Sequence, residues 1–543
     1  MISKYFHTIR FLKFKQIYYR IWFSISRPII SHNFGLSLRN PKNNFCLTIK
    51  KKASLINKDT FNFLNKTKSL SKIGWNCKDQ NICKLWLYNQ HYFDDLNALG
   101  SANRKVWHYE LLKNWVSSNP IGYGIGWDSY PTSLRIVNWI KWHLSKNTLP
   151  KINLHSLIIQ ARWLNKRIEW HILGNHLFVN AKALVFAGLF FSGKEADEFI
   201  KKGLKIINNE LKEQVLGDGG NYERTPMYHG IFLEDILDLI NIARVYPEII
   251  PETQVNHWIK ISIIMLKWLE TMTHPDGEIS FFNDAALKIA PNLDQLKKYA
   301  QRLDVNYNSF KFKKVTSLKE SGYVRLTSNK AVALLDVAPI GPDYQPGHAH
   351  ADTLSFELSI FGQRLFVNCG TSEYGISSVR KHERSTKAHN TVVVNSENSS
   401  EVWSGFRVAK RAYPIDLKIE ELKHFVSVTC SHDGYKRITG KPIHRRNWQF
   451  FESSLIINDS IEGSFKSALA YFHFHPQINI LKGPPGFWNL TFSNNKNINL
   501  YVQKGLAQLE ASYYSPEFGK KIETKCLKVV LDKKDGSSIK ISW

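Results

Sequence analysis

The chain has 543 residues, of which 43% are hydrophobic, and its 73 Lys and Arg against 46 Asp and Glu give a net charge of +27. This composition excludes an intrinsically disordered chain, and the length suffices for two or more hydrophobic cores. No apolar run approaches the ~20 residues that a membrane span requires. The basic excess favours an anionic partner, which is a nucleic acid, a lipid surface or an acidic polysaccharide.

The N-terminal residues 1–28 mix basic and aromatic side chains. Arg10, Lys13 and Lys15 interrupt the apolar stretches, so we expect no cleaved signal peptide. Two interpretations stay open: an amphipathic segment that contacts an anionic membrane peripherally, or an ordinary helix packed on the body of the protein. We assign residues 1–85 to a helical, aromatic and basic extension that packs on the domain that follows.

Residues from about 85 to 305 carry apolar side chains at three- and four-residue spacing, which is typical of amphipathic helices. Loops rich in Gly, Pro and Asp separate the helical stretches. A series of paired helices of this kind either closes into a toroid or stacks as a solenoid. The spacing predicts helices over 152–172, 177–191, 195–216, 231–246 and 255–273.

From about residue 318 the pattern changes to short runs that predict strands. Many strands with few helices indicate an antiparallel sandwich. We place the boundary between the helical and the strand-rich parts in the polar stretch 306–320. Together with the end of the N-terminal extension at residue 85, it divides the chain into 1–85, 86–315 and 316–543. The predicted strands include 323–326, 331–335, 354–361, 391–394, 425–428, 448–457 and 527–531.

The strongest local signal for a reactive site is Gly347-His-Ala-His-Ala-Asp352, directly before the alternating run 353–361. If the strand extends back through this motif, His348, His350 and Asp352 all project toward the core. Ionisable groups in that position are costly unless they are paired, bound to metal or facing a cavity. The alternative is a polar edge of the strand.

A second histidine, His389, stands at the start of the β-rich run 391–394, and Asn368 ends a strand-like stretch before Gly370. Neighbouring strands that present His350, Asn368 and His389 at their ends would form a metal site. Zinc suits two imidazole nitrogens and one oxygen. The neutral amide of Asn368 is a weak ligand, which lowers the expected affinity.

The helical half carries two polar motifs. Gly174-Asn175-His176 opens an apolar helix, and these polar residues are candidates for a functional site. The structural alternatives are an N-cap for Asn175 and a buried, hydrogen-bonded position for His176. The Gly-rich stretch 217–229 leads to Tyr228, whose phenol has an ordinary pKa near 10. Such a phenol is a poor base but a good acid for a departing sugar oxygen, unless Tyr228 merely packs the seam between the domains.

Together these segments resemble the heparinase II/III family of polysaccharide lyases, whose members include alginate lyase-like enzymes. Each motif is short, but their order and company are specific, and the resemblance covers most of the chain. The motifs are Trp86-Leu-Tyr-Asn-Gln-His-Tyr-Phe-Asp94, Tyr130-Pro-Thr-Ser-Leu-Arg135, Gly174-Asn-His176, Asp218-Gly-Gly220 with Glu223-Arg-Thr-Pro-Met-Tyr-His229, Phe282-Asn-Asp284, Gly347–Asp352 and Ala388-His-Asn-Thr391.

The resemblance implies an incomplete (α/α) toroid followed by an antiparallel β-sandwich. It also implies β-elimination on a uronic-acid polysaccharide, in which the C5 proton is removed and the C4 oxygen is expelled. Tyr228 then matches the family's acid, which in some members is also the base, and His348 matches a proposed base. Asn175, helped by His176, would neutralise the uronate carboxylate. The candidate substrate contacts are Arg135, Arg224, Glu223 and His229.

The resemblance further implies a divalent ion, usually zinc, at His350 and His389, with Asn368 where the family has an aspartate. Members of this type are exported, so the cell envelope is the expected location and the cytoplasm is the alternative. By analogy with similar chains that lack a signal peptide, the protein would act in making surface polysaccharide, such as a capsule or O-antigen chain.

Two other functions stay open. One is a non-catalytic protein that binds anionic glycans during surface polysaccharide biosynthesis. The other is nucleic-acid binding driven by the positive charge, although no Lys/Arg block, zinc finger or RNA-binding strand motif supports it, so no nucleic acid is expected. A lyase generates a conjugated double bond from a uronate polymer, whereas a binding protein does not.

Overall fold

The computed structural model describes residues 2–33, 35–77, 79 and 82–543. A helical half, which ends at Arg302, precedes a sheet-rich half, which begins at Val315. The α-helices are α1 (Ile2–Ile9), α2 (Phe14–Ile25), α3 (Leu70–Ile73), α4 (Lys84–Tyr92), α5 (Lys105–Ser118), α6 (Ser129–Leu144), α7 (Lys151–Lys166), α8 (Gly174–Phe190), α9 (Lys194–Gln214), α10 (Pro226–Val245), α11 (Glu252–Thr271), α12 (Leu293–Arg302) and α13 (Ser378–Glu383).

The helices of the first half form two layers. The inner layer is the series α4, α6, α8, α10 and α12, in which each helix contacts the next, and α5 packs on α7 outside it. α8 is buried along almost its whole length, whereas α9 behind it buries a single face. A helix buried all round is apolar all round, as α8 is, and a helix with one buried face is amphipathic, as α9 is. This arrangement is the expected incomplete (α/α) toroid.

The five helices predicted between residues 152 and 273 are confirmed as α7 to α11, with shifted ends. The prediction from residue 231 begins too late, because α10 starts at Pro226. Proline at the first helical position and the Thr225 side chain, which accepts a hydrogen bond from the backbone N–H of Tyr228, start the helix earlier. Tyr228 therefore lies in the first helical turn.

The strands pair antiparallel in several sheets. In the first half they are β1 (Ser37–Leu38), β2 (Leu55–Asn57), β3 (Thr60–Phe63), β4 (Lys66–Ser69) and β5 (Phe191–Ser192). In the second half they are β6 (Val315–Leu318), β7 (Tyr323–Thr327), β8 (Ala331–Asp336), β9 (Phe356–Ile360), β10 (Gln363–Phe366), β11 (Val392–Val394), β12 (Val402–Trp403), β13 (Arg407–Val408), β14 (Pro414–Glu421), β15 (Phe425–His432), β16 (Ile443–Phe451), β17 (Ser454–Glu462), β18 (Ala468–His473), β19 (Asn479–Lys482), β20 (Phe487–Thr491), β21 (Asn497–Lys504), β22 (Leu506–Tyr514), β23 (Ile522–Val530) and β24 (Ser537–Ser542).

Three sheets of the second half enclose one apolar core. Their strand orders are β10-β9-β8-β7-β6, β11-β18-β23-β22 and β14-β15-β16-β17-β24-β21-β20-β19. Phe356 of the first sheet, Phe472 of the second and Trp448 of the third belong to the same buried cluster. Side chains that alternate inward along each strand thus meet in a sandwich, as predicted.

Two strand predictions are wrong in detail. The run 448–457 is a hairpin, because β16 ends at Phe451 and β17 begins at Ser454. Apolar alternation continues through both strands, so the polar turn between them was not evident. The motif that holds His348 and His350 is a loop, and β9 begins only at Phe356, because Leu354 has a left-handed backbone with φ of 64°. His350 is nevertheless buried.

Within residues 2–33, 35–77, 79 and 82–543, the helices all fall short of the length and apolar character that crossing a bilayer would require.

A buried ion pair ties the third sheet to the loops beneath the first. Arg446 donates two hydrogen bonds to Asp459, at 2.7 and 2.9 Å, and others to the carbonyl oxygens of Leu354 and Asn390. Burial opposes the charge on Asp459, but Arg446 and a hydrogen bond from His444 hold its pKa at about 2. The pair therefore contributes to stability only while Asp459 is ionised.

We expect Arg446→Met to lower the free energy of unfolding by about 3–5 kcal/mol, because it leaves a buried carboxylate without its cation. Urea denaturation measures the change, and Arg445→Met, at the exposed neighbouring position, is the matched control. The pKa of Asp459 is lower in the folded chain than its unfolded value near 3.9, so the contribution is present above that value and lost as the pH falls toward 2. Equal stability of both variants would contradict this account.

Candidate active site

One buried carboxylate, that of Asp284, organises the polar groups between the two halves. It accepts hydrogen bonds from Nδ1 of His348 at 2.9 Å and from Nε2 of His350 at 2.8 Å. The guanidinium of Arg380 binds both of its oxygens, with Nη2 at 2.7 Å. Burial opposes ionisation, but Arg380 and the two histidines hold the pKa of Asp284 well below its usual range. Asp284 is therefore a fixed anion.

The loop of Asp284 is joined to the histidine loop by backbone contacts. The backbone N–H of Asp284 donates to the carbonyl oxygen of His348 at 2.9 Å. The side chain of Asn283 accepts from the backbone N–H of His350 at 3.0 Å. Asn283 has a φ of 58°, a conformation that asparagine tolerates better than most residues. The histidines of the sheet half are thus positioned by a loop of the helical half.

Asp284 also fixes the tautomer of His348. Because Nδ1 donates its hydrogen to the carboxylate, Nε2 carries a lone pair and can accept a proton. Nε2 lies 3.7 Å from Oε2 of Glu223, and the His348 side chain is 19% exposed. A proton-accepting nitrogen is therefore held at the border between the protein interior and the surface.

Tyr228 lies against this histidine. The two rings stack with centroids 3.9 Å apart and planes 29° from parallel. The Tyr228 hydroxyl shares a hydrogen bond of 3.0 Å with the hydroxyl of Tyr374. Burial and the neighbouring Tyr374 raise the pKa of Tyr228 well above its ordinary value. Tyr228 therefore keeps its proton at neutral pH and is suited to act as an acid.

Asn175 sits in the first turn of α8, after two residues with positive φ, Leu173 and Gly174. The positive φ of Gly174 favours glycine, and a Cβ at this position would meet the side chain of Gln345 from the other half. The Asn175 amide nitrogen donates to the Tyr130 hydroxyl at 3.1 Å. In the described part of the chain, its Oδ1 is buried without a hydrogen-bond partner. An unpartnered buried oxygen is costly, which indicates a ligand position.

Two acidic residues connect Asn175 with the other groups. Glu223 accepts a hydrogen bond from the backbone N–H of Asn175, and its other contact is Nε2 of His348. Burial raises the pKa of Glu223. His176 lies with Nδ1 3.2 Å from Oε1 of Glu169, and its ring contacts Tyr130 at a tilt of 38°, with ring centroids 4.4 Å apart. A continuous set of contacts therefore joins Asn175 to His348.

Three of the expected substrate contacts lie elsewhere. Arg135 is fully buried in the toroid, where it donates to Gln160 and to the carbonyl oxygen of Gly126 and lies over the Trp115 ring. The spacing of apolar residues around Arg135 did not indicate that its side of α6 faces the core. Substrate binding by Arg135 stays a prediction, and in this structure its guanidinium donates to groups within the toroid.

Arg224 and His229 also have structural roles. Arg224 donates to the backbone carbonyl oxygens of Ser321 and Glu320, which links the toroid to the sheets. His229 is fully buried, donates from Nε2 to the carbonyl oxygen of Met265 and stacks on a tryptophan ring. Of the four expected contacts, Glu223 is the one that the structure places beside His348.

The expected metal ligands are partly assembled. Nδ1 of His350 lies 3.1 Å from Nε2 of His389, and both side chains are buried. Asn368 instead bonds to the backbone, since its amide donates to the carbonyl oxygen of Phe281 and its Oδ1 accepts from the N–H of Asn390. The described residues contain no group of three or more His, Cys, Asp and Glu that could hold a metal ion.

The two imidazoles by themselves fit a cation. Nε2 of His350 donates to Asp284, and Nδ1 of His389 donates to the carbonyl oxygen of Ser385 at 2.8 Å. Burial lowers the pKa of both histidines to about 4, so both are neutral. Their facing nitrogens then present two lone pairs to each other, which a proton or a metal cation between them would stabilise. Anchoring of the outer nitrogens is typical of metal-binding histidines.

Several residues of the site were not predicted as such. Asp284 was noted within the motif Phe282-Asn-Asp284 but was assigned no role. Arg380, Tyr374 and Tyr130 come from separate parts of the chain. The motif around Asp284 carried a usable signal, because a carboxylate in a polar motif is a plausible partner for two histidines. Arg380 and Tyr374 carried none, since only folding brings them to Asp284 and Tyr228.

Comparison with known proteins places this geometry in a family. The Heparinase II/III N-terminus model matches residues 73–311, and the "Heparinase II/III-like, C-terminal" model matches residues 312–543. A heparin-sulfate lyase of Bacteroides stercoris is 26% identical over 327 residues, which cover 56% of this chain and 46% of the relative. A heparin-sulfate lyase of Pedobacter heparinus is 24% identical over 247 residues, which cover 41% of this chain and 36% of the relative. The chain thus spans less than half the length of these curated relatives.

Solved structures share the fold. A crystal structure of heparinase III has a TM-score of 0.71 at 17% identity, covering 97% of this chain and 88% of its own. The heparinase III BT4657 gene product has a TM-score of 0.62 at 18% identity, and the match covers 86% of this chain and 80% of the heparinase chain. Both likenesses extend over the helical and the sheet-rich halves. Since the two family models together match residues 73–543, the chain belongs to the heparinase II/III family.

Proposed function

We propose that this protein is a polysaccharide lyase that cleaves a uronic-acid-containing anionic polysaccharide by β-elimination. The observation that carries the proposal is the acid–base pair, in which His348, oriented by Asp284, stacks on the protonated Tyr228. The related heparin-sulfate lyases support the same reaction class. A protein that only binds glycans would need no oriented base beside an acid, so the binding alternative is less favoured.

The first requirement of the reaction is neutralisation of the uronate carboxylate. Loss of the C5 proton would otherwise place a second negative charge beside it. We assign this role to Asn175, together with His176, because the amide nitrogen of Asn175 has two N–H groups. One of them is donated to the Tyr130 hydroxyl, and the other would donate to the uronate carboxylate. Glu223 lies beside Asn175, and burial favours its protonated form, which can donate a hydrogen bond to a carboxylate.

The second requirement is proton transfer at C5 and at the C4 oxygen. Nε2 of His348 takes the C5 proton, and the Asp284 anion stabilises the imidazolium that forms. Tyr228 gives its hydroxyl proton to the departing C4 oxygen, while the hydroxyl of Tyr374 stabilises the phenolate by donating a hydrogen bond. The C4–O bond breaks as the C4–C5 double bond forms, so the new chain end is unsaturated.

The substrate that we propose is an acidic polymer of the heparan sulfate type. The net charge of +27 supports an anionic polymer, and the curated relatives are heparin-sulfate lyases. We further propose that the reaction takes place at the cell envelope, on surface polysaccharide. The strongly basic N-terminal segment, which carries no Asp or Glu through residue 58, supports a location near anionic surfaces.

We also propose that His350 and His389 hold one zinc ion, which would support the loops behind the catalytic pair. Two imidazoles without an anionic ligand give a weaker site than three protein ligands. Zinc would neutralise the facing lone pairs of the two rings and fix the histidine loop next to Asp284.

We expect Tyr228→Phe to reduce the elimination rate by about 10²–10⁴-fold, because the acid is removed while the ring stacking is kept. The measurement is ultraviolet absorbance of the conjugated double bond, with heparan sulfate, heparin, hyaluronan, alginate and polyglucuronate as substrates. Tyr501→Phe, on an exposed strand position, is the matched control. Wild-type activity in Tyr228→Phe would refute the role of the tyrosine. No rise in absorbance when the wild-type protein is mixed with each of these polymers would refute the proposed substrate class.

Asn175→Ala should lower kcat/KM on a uronate polymer by at least about tenfold, since one hydrogen bond to the carboxylate is lost. Asn175→Asp should be worse, because it adds a negative charge beside the carboxylate. On the same polymer with methyl-esterified uronates, the deficit of Asn175→Ala should shrink. A deficit that esterification does not change would show that Asn175 does not act on the carboxylate.

For the metal, elemental analysis and calorimetric titration with zinc provide readouts that do not depend on activity. We expect wild-type protein to bind about one zinc per chain and His389→Ala to bind none. Asn368→Asp should bind zinc more tightly, because a carboxylate cannot make the amide's donated hydrogen bond to the carbonyl oxygen of Phe281 and is itself a strong zinc ligand. Failure of both the wild type and Asn368→Asp to bind zinc would contradict the proposed site.

A further inference from the structure

The N-terminal helix α2 has two different faces. Its inner face packs on the body: Gln16 donates to the carbonyl oxygen of Tyr344 at 3.2 Å, and Tyr19 lies on Trp170, with ring centroids 5.9 Å apart. Farther along, Phe23 packs on a histidine ring of the toroid, at 4.3 Å. These contacts at positions 16, 19 and 23 occupy one side of the helix.

The outer face of α2 is an exposed apolar stripe. Its members follow the three- and four-residue spacing of one helical face, opposite to the inner contacts. Their exposed fractions range from 39% for Ile17 to 81% for Phe14. The stripe consists of Phe14, Ile17, Tyr18, Ile21, Trp22 and Ile25. Exposed apolar surface of this extent on a helix indicates a binding partner.

α1 repeats the same division. Its inner residues hold the sheet half, since Tyr5 packs edge-on against Trp403 at 4.8 Å and Thr8 donates to the carbonyl oxygen of Val408 at 3.2 Å. Ile2, Phe6 and Ile9 point away and are 87%, 63% and 49% exposed. The two helices therefore present outward apolar faces while their inner faces fasten them to the protein.

The charge of this segment selects among possible partners. Residues 1–58 contain twelve Lys and Arg and no Asp or Glu. Two copies of such a surface would repel each other, which disfavours self-association. Lys13 is paired with Glu213 of the toroid, but the other charges that the segment itself carries are cations. An apolar stripe on such a segment matches a bilayer with anionic headgroups, where the stripe enters the acyl boundary and the cations meet the headgroups.

We propose that α1 and α2 form a docking surface for an anionic lipid bilayer. Lys4, Arg10, Arg20 and Arg27 are exposed along this segment and would contact the headgroups. The interaction is peripheral, because the helices stay fastened to the protein by their inner faces. The inference adds a membrane partner to the proposed envelope location, and it does not depend on the lyase chemistry.

The docking surface packs on residues that shortly precede the proposed site residues in the chain. The inner contacts include Trp170, which is five positions before Asn175, and Tyr344, which is four positions before His348. Docking would thus hold the seam between the two halves beside the bilayer. A polymer that is attached to, or emerges from, the membrane would then be within reach of the catalytic groups.

The test is flotation of the full-length protein with vesicles. One set contains phosphatidylcholine alone, and the other contains phosphatidylcholine with phosphatidylglycerol at low ionic strength. We expect flotation with the anionic vesicles, and Ile21→Glu/Ile25→Glu should lower the partition coefficient by about tenfold or more. Ile376→Glu/Leu506→Glu places the same charges at apolar positions that are more exposed, and this variant should bind like the wild type.

Circular dichroism checks that each variant is folded. Equal flotation with neutral vesicles, flotation with neither set, or unchanged binding of Ile21→Glu/Ile25→Glu would each overturn the proposal. If light scattering shows that the wild type is a dimer and that Ile21→Glu/Ile25→Glu is a monomer, the exposed face binds a second copy of the chain instead. Elimination of a soluble uronate polymer by the variant should equal that of the wild type, so failure of the lyase proposal would be seen separately.

Discussion

The site depends on one buried anion, the carboxylate of Asp284. An unpaired carboxylate in this position would be strongly unfavourable, and the guanidinium of Arg380 compensates it. The remaining hydrogen-bonding capacity is filled by His348 and His350. One charge thereby sets the tautomer of a proposed base and orients a proposed metal ligand. The proposed catalytic pair and the histidine pair therefore depend on the same buried charge.

The location of this anion explains why the site lies between the halves. Asp284 belongs to the loop between the toroid helices α11 and α12, whereas its histidines belong to a loop before β9. Tyr228 reaches the same point from the start of α10, where helix capping fixes its direction. Any movement of one half against the other would change the stacking of Tyr228 on His348 and thus the distance between the proposed acid and the proposed base.

Much of the fold was predictable because it follows from periodic burial. The helices from residue 152 to 273 and most of the strands after residue 318 were predicted from local spacing. The errors occurred where local spacing was ambiguous, as in the hairpin at Phe451–Ser454 and the loop before Phe356. Within the site, His348, Tyr228 and Asn175 were indicated by their motifs, but Arg135 showed no sign that its helix would bury it.

The sequence by itself determined the two-part architecture, the family and the polar motifs, because periodicity and short motifs are local properties of the chain. Only the tertiary structure decided which motif residues meet. It placed Arg380 and Tyr374 beside Asp284 and Tyr228, and it turned Arg224 toward backbone carbonyl oxygens. It also showed which faces of the N-terminal helices pack and which stay exposed. These outcomes depend on contacts between residues far apart in the chain, and no local pattern encodes them.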